Sequence, residues 1–444
     1  MTRICFIVVA GLDGNLSDRC AAGSGLGSFK HRAALEPVIP AVTSTMQATL
    51  STGVQPERHG IIANGLYTFG RTEVQRHLDQ GSFAEFRRQT SFWEQANALV
   101  QTPRFWAGGG KRVAMLFWQQ SIPDAADIVL TPKPEHMPDG KTLTACWSNP
   151  AELYPRLVAE LGPFPLQAYW GPFAGAASTQ WIVKSAVHVW KMERVDLELV
   201  YLPLLDYNLQ RMGPEHPAVA ADLVALDRSL AELLAAVRAD GGRAIICGDY
   251  GITPVSRCVM PNRLLRGAGL LRTMPDEQGK LLMDYQASQA FAMVDHQVAH
   301  VYGDERHLDS VRRLLERVPG VERVLAGTAE LRAWGLNSPR SGQLVLLAAA
   351  DAWFAHDWWE SDAEKPAWQF AVDIHRKPGY DPREMFLDPQ RRCIAQDTAL
   401  VKGSHGIRPV NNGHAPVVLS DIALPVHDGR LPAVAVADWL RGAL

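Results

Sequence analysis

The chain has 444 residues, 47% hydrophobic and 20% charged, with 44 Lys and Arg against 47 Asp and Glu for a net charge of −3. A chain this apolar buries enough surface to offset its ordering entropy, which excludes a disordered protein. The balanced charge gives no footprint for a nucleic-acid polymer or an anionic membrane surface, and no apolar run approaches the ~20 residues that span a bilayer.

The first apolar run, 4–10, is followed by Gly-Leu-Asp-Gly rather than a small-residue cleavage site. It therefore reads as a buried strand and not as a secretion signal. Six cysteines are dispersed without a CxxC pair, the usage expected of a reduced, cytoplasmic chain. Further runs at 113–118, 197–202, 243–247 and 416–420 are mostly apolar on both faces and predict strands of a mostly parallel sheet. Between 202 and 243, Leu223, Leu226, Leu230, Leu233 and Leu234 recur at helical spacing, and Gly241 and Gly242 supply a stop. Strand, helix and strand make a βαβ unit, so the expected fold is α/β, a mostly parallel sheet sandwiched by helices. Residues 286–353 predict a smaller β-α-β-α-β lobe, with FAMVDHQVAHVY as one strand, and 358–388 a long ordered loop. The expected division is a core of 1–285 with 389–444, interrupted by an insertion of 286–388.

In open α/β sheets, ligands sit beyond the carboxyl ends of the strands. Three predicted strands each deliver one carboxylate there: Asp13 in GLDG, Asp206 in LPLLDYNLQ and Asp249 in CGDYG. A single such Asp is ordinarily a cap or turn residue. Three at one edge have no evident capping role and repel unless a cation lies between them, which points to a metal. In PAVTSTMQATLSTG, Thr43 stands near a helix start, where its hydroxyl is either a plain cap or a nucleophile favoured by the helix N-terminus and a nearby metal.

These segments, in this order, resemble the alkaline phosphatase superfamily, in particular its type I phosphodiesterase/nucleotide pyrophosphatase family. The segment from Pro40 through TGVQPERHGIIANG looks like that family's nucleophile region, which places Thr43 at the nucleophile and Asn64 at the position that holds a phosphoryl oxygen. GLDG, LPLLDYNLQRMGP, CGDYGI and VKGSHG resemble its metal segments, which implies Asp13, Thr43, Asp206, Asp249 and His405 as ligands. The resemblance implies one or two divalent ions per chain (Mn, Mg or Zn), a small phosphorylated substrate, and hydrolysis of a phosphodiester, pyrophosphate or phosphonate bond through a phospho-threonine. Sulfate or phosphomonoester hydrolysis, phosphomutase-like transfer, or a binding protein on a degenerate site are the alternatives on the same fold. Oligomeric state is left open.

The sequence departs from that pattern at two positions. Gln210 and Tyr250 stand where the family has imidazoles, and oxygen ligands suit Mg²⁺, Mn²⁺ or Ca²⁺ better than Zn²⁺. His375, His296 and His300 are candidate replacements. His296 and His300 at i, i+4 share one face of the single strand expected there. The Lys377-Pro378-Gly379 turn and Arg376 offer positive charge to an anionic substrate. His59 reads as structural, GSGLGS at 23–28 as a flexible loop near the metals, and the aromatic run at 167–173 as core or as the wall of a leaving-group pocket.

Overall fold

The computed structural model describes residues 2–68, 89–136, 142–143, 146–409 and 412–444. In chain order, the strands of its two larger sheets begin with β1 (Ile4–Val9), β2 (His31–Glu36), β3 (Val113–Leu116), β4 (Ile128–Pro132) and β5 (Cys146–Asn149). They continue with β6 (Leu197–Leu202), β7 (Arg243–Gly248), β8 (Ala290–Asp295) and β9 (Val298–Gly303). The last are β10 (Val321–Ala326), β11 (Leu344–Ala348), β12 (Val417–Ser420) and β13 (Arg430–Pro432). The main sheet runs β13-β2-β12-β7-β1-β6-β3-β4-β5. Its centre, β7 through β4, is parallel, while β12 and β5 pair antiparallel on either side.

All six residues of β1 and of β6 are buried, as the two-sided apolar runs require of parallel strands covered on both faces. The principal helices are α1 (Thr43–Thr52), α2 (Ala176–Glu193), α3 (Leu204–Met212) and α4 (Pro217–Ala239). Pro217 opens α4, where its missing N–H costs nothing, and Leu223, Leu226, Leu230, Leu233 and Leu234 are all buried. Each such leucine contributes about 1.5–3 kcal/mol. Gly241, at φ +72°, ends the turn after the helix.

The smaller sheet is antiparallel, ordered β8-β9-β11-β10. Here the expected single strand is a hairpin. Asp295 pairs with Val298, so His296 and Gln297 form a two-residue connection, with His296 at φ +58°. His296 and His300 consequently do not share one strand face. The 23–28 segment also differs from expectation. It is a 3-10 turn whose Leu26 N–H donates to Asp227 of α4 (2.6 Å), which pins it to that helix.

Candidate active site

Strands β7, β1 and β6 are neighbours in register, Val9 opposite both Leu202 and Gly248, so their chains leave the sheet at one edge. Gly248 is required there, because a Cβ would lie 1.9 Å from the Leu12 carbonyl oxygen. Asp249 follows β7 directly and is fully buried, and Asp206 lies in the first turn of α3.

Thr43 is the first residue of α1. The cap position belongs to Val42, and among the described residues Thr43 Oγ1 meets only the Tyr250 and Tyr201 hydroxyls, so the Thr43 hydroxyl is not a cap. Its Oγ1 lies 3.3 Å from the Tyr250 hydroxyl and 3.4 Å from that of Tyr201. The free helix N-terminus is served from outside: Ser44 N–H donates to Asn64 Oδ1 (2.9 Å). Asn64 is fixed in turn by Asp295, donating through its backbone N–H (2.7 Å) and its Nδ2 (3.2 Å).

Tyr250 connects the nucleophile candidate to the carboxylates. Its hydroxyl donates to Asp206 Oδ1 (3.1 Å). Gln210 Nε2 donates to Asp206 Oδ2 (2.7 Å), and Gln210 Oε1 accepts from the Tyr380 hydroxyl (3.0 Å). The Tyr250 ring lies 2° from parallel with His405 at 3.6 Å between centroids, and His296 packs between His405 (3.8 Å) and Tyr380 (3.6 Å). His405 Nδ1 donates to the Ala41 carbonyl (2.8 Å), leaving Nε2 as the lone pair, 3.8 Å from Asp206 Oδ1. Burial pushes Asp206 up to about 7 against the hydrogen bonds from Gln210 and Tyr250. Burial, reinforced by the Asp206 charge, holds Asp249 well above the usual carboxylate range. Burial also drives His405 and His296 far down, so both rings are neutral.

A cavity of about 310 Å³ opens onto Thr43, Asp206 and Tyr250. Its wall has an aromatic part, with Trp93, Tyr169, Trp170, Tyr207 and Tyr380, and it also carries Lys133, His296 and His375. Tyr169 and Trp170, from the run that read as core or pocket, thus line the pocket.

The sequence model of the type I phosphodiesterase/nucleotide pyrophosphatase family matches residues 26–381. The chain belongs to this family. No curated protein matches it. Among solved structures it is similar to phosphonoacetate hydrolase from Sinorhizobium meliloti 1021 in complex with phosphonoformate, at 16% identity over 100% of this chain and 95% of that one, TM-score 0.62. It is similar also to murine ectonucleotide pyrophosphatase/phosphodiesterase 5 at 13% identity, over 99% and 94%, TM-score 0.59. The human counterpart gives 12% identity over the same shares, TM-score 0.60. These likenesses establish the alkaline-phosphatase-like fold.

In this family member, the residues the resemblance implies as metal ligands are not arranged as one donor set. Asp13 caps the short helix Gly14–Asp18 through Leu16 N–H (2.8 Å), and its other oxygen meets His414 Nδ1 (3.0 Å). Both ends of the Gln210 amide are committed. Among the described residues, no group of three or more His, Cys, Asp or Glu stands where it holds an ion. The unpartnered, buried Asp249 Oδ2 and His405 Nε2 are the features that favour one. Against them, Asp206 already accepts from Tyr250 and Gln210 at its two oxygens, and among the described residues no third donor joins Asp249 and His405 in one group. The arrangement does not fit the two-ion centre.

The candidate replacements divide. His296 faces the cavity with Nδ1 2.7 Å from Asp295 and Nε2 buried without a partner. His300 is structural: one ring nitrogen meets the Ile62 carbonyl (3.0 Å) and the other accepts from Gly342 N–H (3.3 Å). His375 is exposed and lines the cavity. His59 is structural as expected, held between Thr49 and Ile61 N–H. Lys377 does not offer charge to a substrate, since it is buried against Glu384 (2.8 Å) and Asp381 (3.2 Å). Arg376 pairs with Asp373. Sequence reasoning missed Tyr201, Tyr380, Asp295 and His414. Tyr201 lies inside an apolar strand and His414 is 401 residues from Asp13, so nothing local marks either.

Proposed function

We propose that this chain cleaves a phosphodiester, pyrophosphate or phosphonate bond in a small phosphorylated substrate through a phospho-threonine at Thr43. The carrying observation is the Thr43 hydroxyl: it heads a buried helix, caps nothing, and opens into the cavity. The helix N-terminus favours an anion at this place. The bond from phosphorus to Thr43 Oγ forms as the bond to the leaving group breaks, and water then cleaves the phospho-threonine. The Asn64 amide carries two N–H bonds. Asp295 takes one, and the other serves a phosphoryl oxygen. A murine relative with a threonine replaced by alanine is inactive and was solved in complex with AMP, which supports a threonine-dependent reaction on a phosphate ester.

Family members of this type typically depend on divalent ions. The donors here do not fit two of them. In this reading residues 1–285 with 389–444 carry Thr43 and the carboxylates, and the inserted 286–388 lays His296 and Tyr380 over them. The six free thiols accord with a cytoplasmic setting. Among the described residues, no helix is long and apolar enough to cross a membrane.

Acid quenching during turnover of a bis-aryl phosphodiester, followed by peptide mass spectrometry, is expected to find the phosphoryl group on Thr43. Turnover with label elsewhere, or with none under rapid quench, defeats the reading. The aromatic wall gives a further expectation. Trp170→Ala raises KM for a bis-aryl substrate about tenfold with kcat little changed, because the ring binds the non-reacting group equally in ground and transition states. A loss confined to kcat would place Trp170 at the reacting phosphorus instead.

A further inference from the structure

We infer that the Tyr250 hydroxyl joins Thr43 to Asp206 and is not a metal ligand, and that Thr43 is poised in this chain without a bound divalent ion. The activity arm of this inference rests on the reading of Thr43 as nucleophile; the metal arm does not.

Three observations carry it. The first is the stacking of Tyr250 on His405, 2° from parallel with centroids 3.6 Å apart. A cation held by the His405 Nε2 lone pair lies in the imidazole plane. The phenol oxygen lies in a parallel plane a full stacking distance away, well beyond the ~2.0–2.2 Å of an oxygen–zinc bond. His405 and Tyr250 therefore cannot share an ion, so Tyr250 does not replace the missing imidazole as a ligand. The second is the direction of the hydrogen bonds. Tyr250 has one proton and gives it to Asp206 Oδ1 (3.1 Å). Its contact with Thr43 Oγ1 (3.3 Å) is then one in which Thr43 donates. That length is long for a hydroxyl pair, as catalytic hydrogen bonds often are before substrate binds. It directs the Thr43 proton toward Tyr250 and, with Tyr201 donating at 3.4 Å to one Oγ1 lone pair, leaves the other for the cavity. The third is the commitment of two further donors, Asp13 to Leu16 N–H and His414, and Gln210 to Asp206 and Tyr380; Asp249 Oδ2, His405 Nε2 and His296 Nε2 stay unpartnered, but among the described residues no three such donors gather where they hold an ion. The two departures from the family pattern thus act together. Gln210 secures the second Asp206 oxygen while Tyr250 secures the first, and Asp206 is tied to protein donors at both ends.

The test uses the full chain, stripped with EDTA and then titrated calorimetrically with Zn²⁺ and Mn²⁺, with metal content read by mass spectrometry. Wild type is expected to show no stoichiometric binding, and its turnover of a bis-aryl phosphodiester to be unchanged by EDTA. Tyr250→Phe keeps the ring stacking and removes the hydroxyl, and is expected to lose about 10²-fold in kcat in EDTA, the lower end of what a positioned acceptor for the nucleophile's proton contributes. The double variant Gln210→His, Tyr250→His restores two imidazoles and serves as the positive comparison, gaining a zinc ion per chain. Wild-type binding of one or two ions per chain, abolished in Asp206→Asn with its melting transition retained, overturns the inference. So does EDTA-resistant turnover that Tyr250→Phe leaves intact. An absence of both binding and turnover in wild type upholds the metal arm and counts against the proposed function instead.

Discussion

Thr43→Ala is expected to lower kcat for a bis-aryl phosphodiester by about 10⁴-fold or more, the scale on which loss of a nucleophile is felt, with the melting transition nearly unmoved. Both halves follow from the position of the hydroxyl. It heads α1 without capping it, so alanine removes no bond on which the helix depends. Its two contacts, with Tyr250 at 3.3 Å and Tyr201 at 3.4 Å, are long and contribute little to stability. Alanine keeps the Cβ and leaves room only for the departed hydroxyl and methyl, in a residue that is 4% exposed. Thr43→Ser is the informative partner. It restores the hydroxyl without the methyl that fixes its rotamer, and should recover part of the rate while alanine recovers none. Steady-state kinetics with a thermal melt on each variant decides. A Thr43→Ala enzyme that keeps most of its kcat would leave the cavity as a binding site with its chemistry elsewhere.

What was legible in the sequence follows from which signals are local. Strands β1, β6 and β7 are runs apolar on both faces, and α4 repeats leucine at three and four, so burial alone writes them into the chain. The three carboxylates were legible because each lies within a few residues of its strand end. The hairpin at His296 was not, because the apolar pattern continues through the turn and no Gly, Asn or Pro marks it; a histidine takes the left-handed conformation instead. The sequence displays Gln210 and Tyr250 as departures, but it does not display that the Tyr250 ring lies flat on His405, a contact between segments 155 residues apart. Asp13 shows the same limit. Its capping of Leu16 is local but was set aside for a metal role, and its pairing with His414 has no local signal at all. Lys377 resembled an anion-binding lysine only until its partners were known, four and seven residues further on at Asp381 and Glu384.

Those partners belong to a buried ionic network, which carries the second large effect. Arg383 is fully buried, with Nη1 and Nη2 on the two oxygens of Asp357 (2.9 and 2.6 Å) and Nε on Asp381 (2.7 Å). Lys377 bridges Asp381 and Glu384, and Glu384 in turn accepts from Trp170 Nε1 (2.5 Å) in the cavity wall. Arg383→Met fills much of the volume but leaves one cation among three buried carboxylates. It is expected to cost about 3–5 kcal/mol, the penalty of breaking a buried pair from one side. The pH dependence separates this from a packing defect. Burial alone would raise Asp357 and Asp381; the guanidinium, joined at Asp381 by the Lys377 ammonium, more than offsets it, holding Asp357 below and Asp381 well below the usual carboxylate range. Unfolded carboxyls take up protons near pH 4 while these native ones stay ionised. The network's stabilisation is therefore present above about pH 4 and is lost as pH falls through the depressed native values. Without Arg383 both carboxyls rise, so the variant should lose stability already as the pH increases from about 4 toward neutrality, opposite in sign to wild type. Urea unfolding at several pH values reads both magnitude and slope. A uniform loss at every pH would assign the effect to packing, and the charge argument would then fail. Because Glu384 and Tyr380 flank the network and reach Trp170 and Gln210, the variant should also bind substrate more weakly at temperatures where it remains folded.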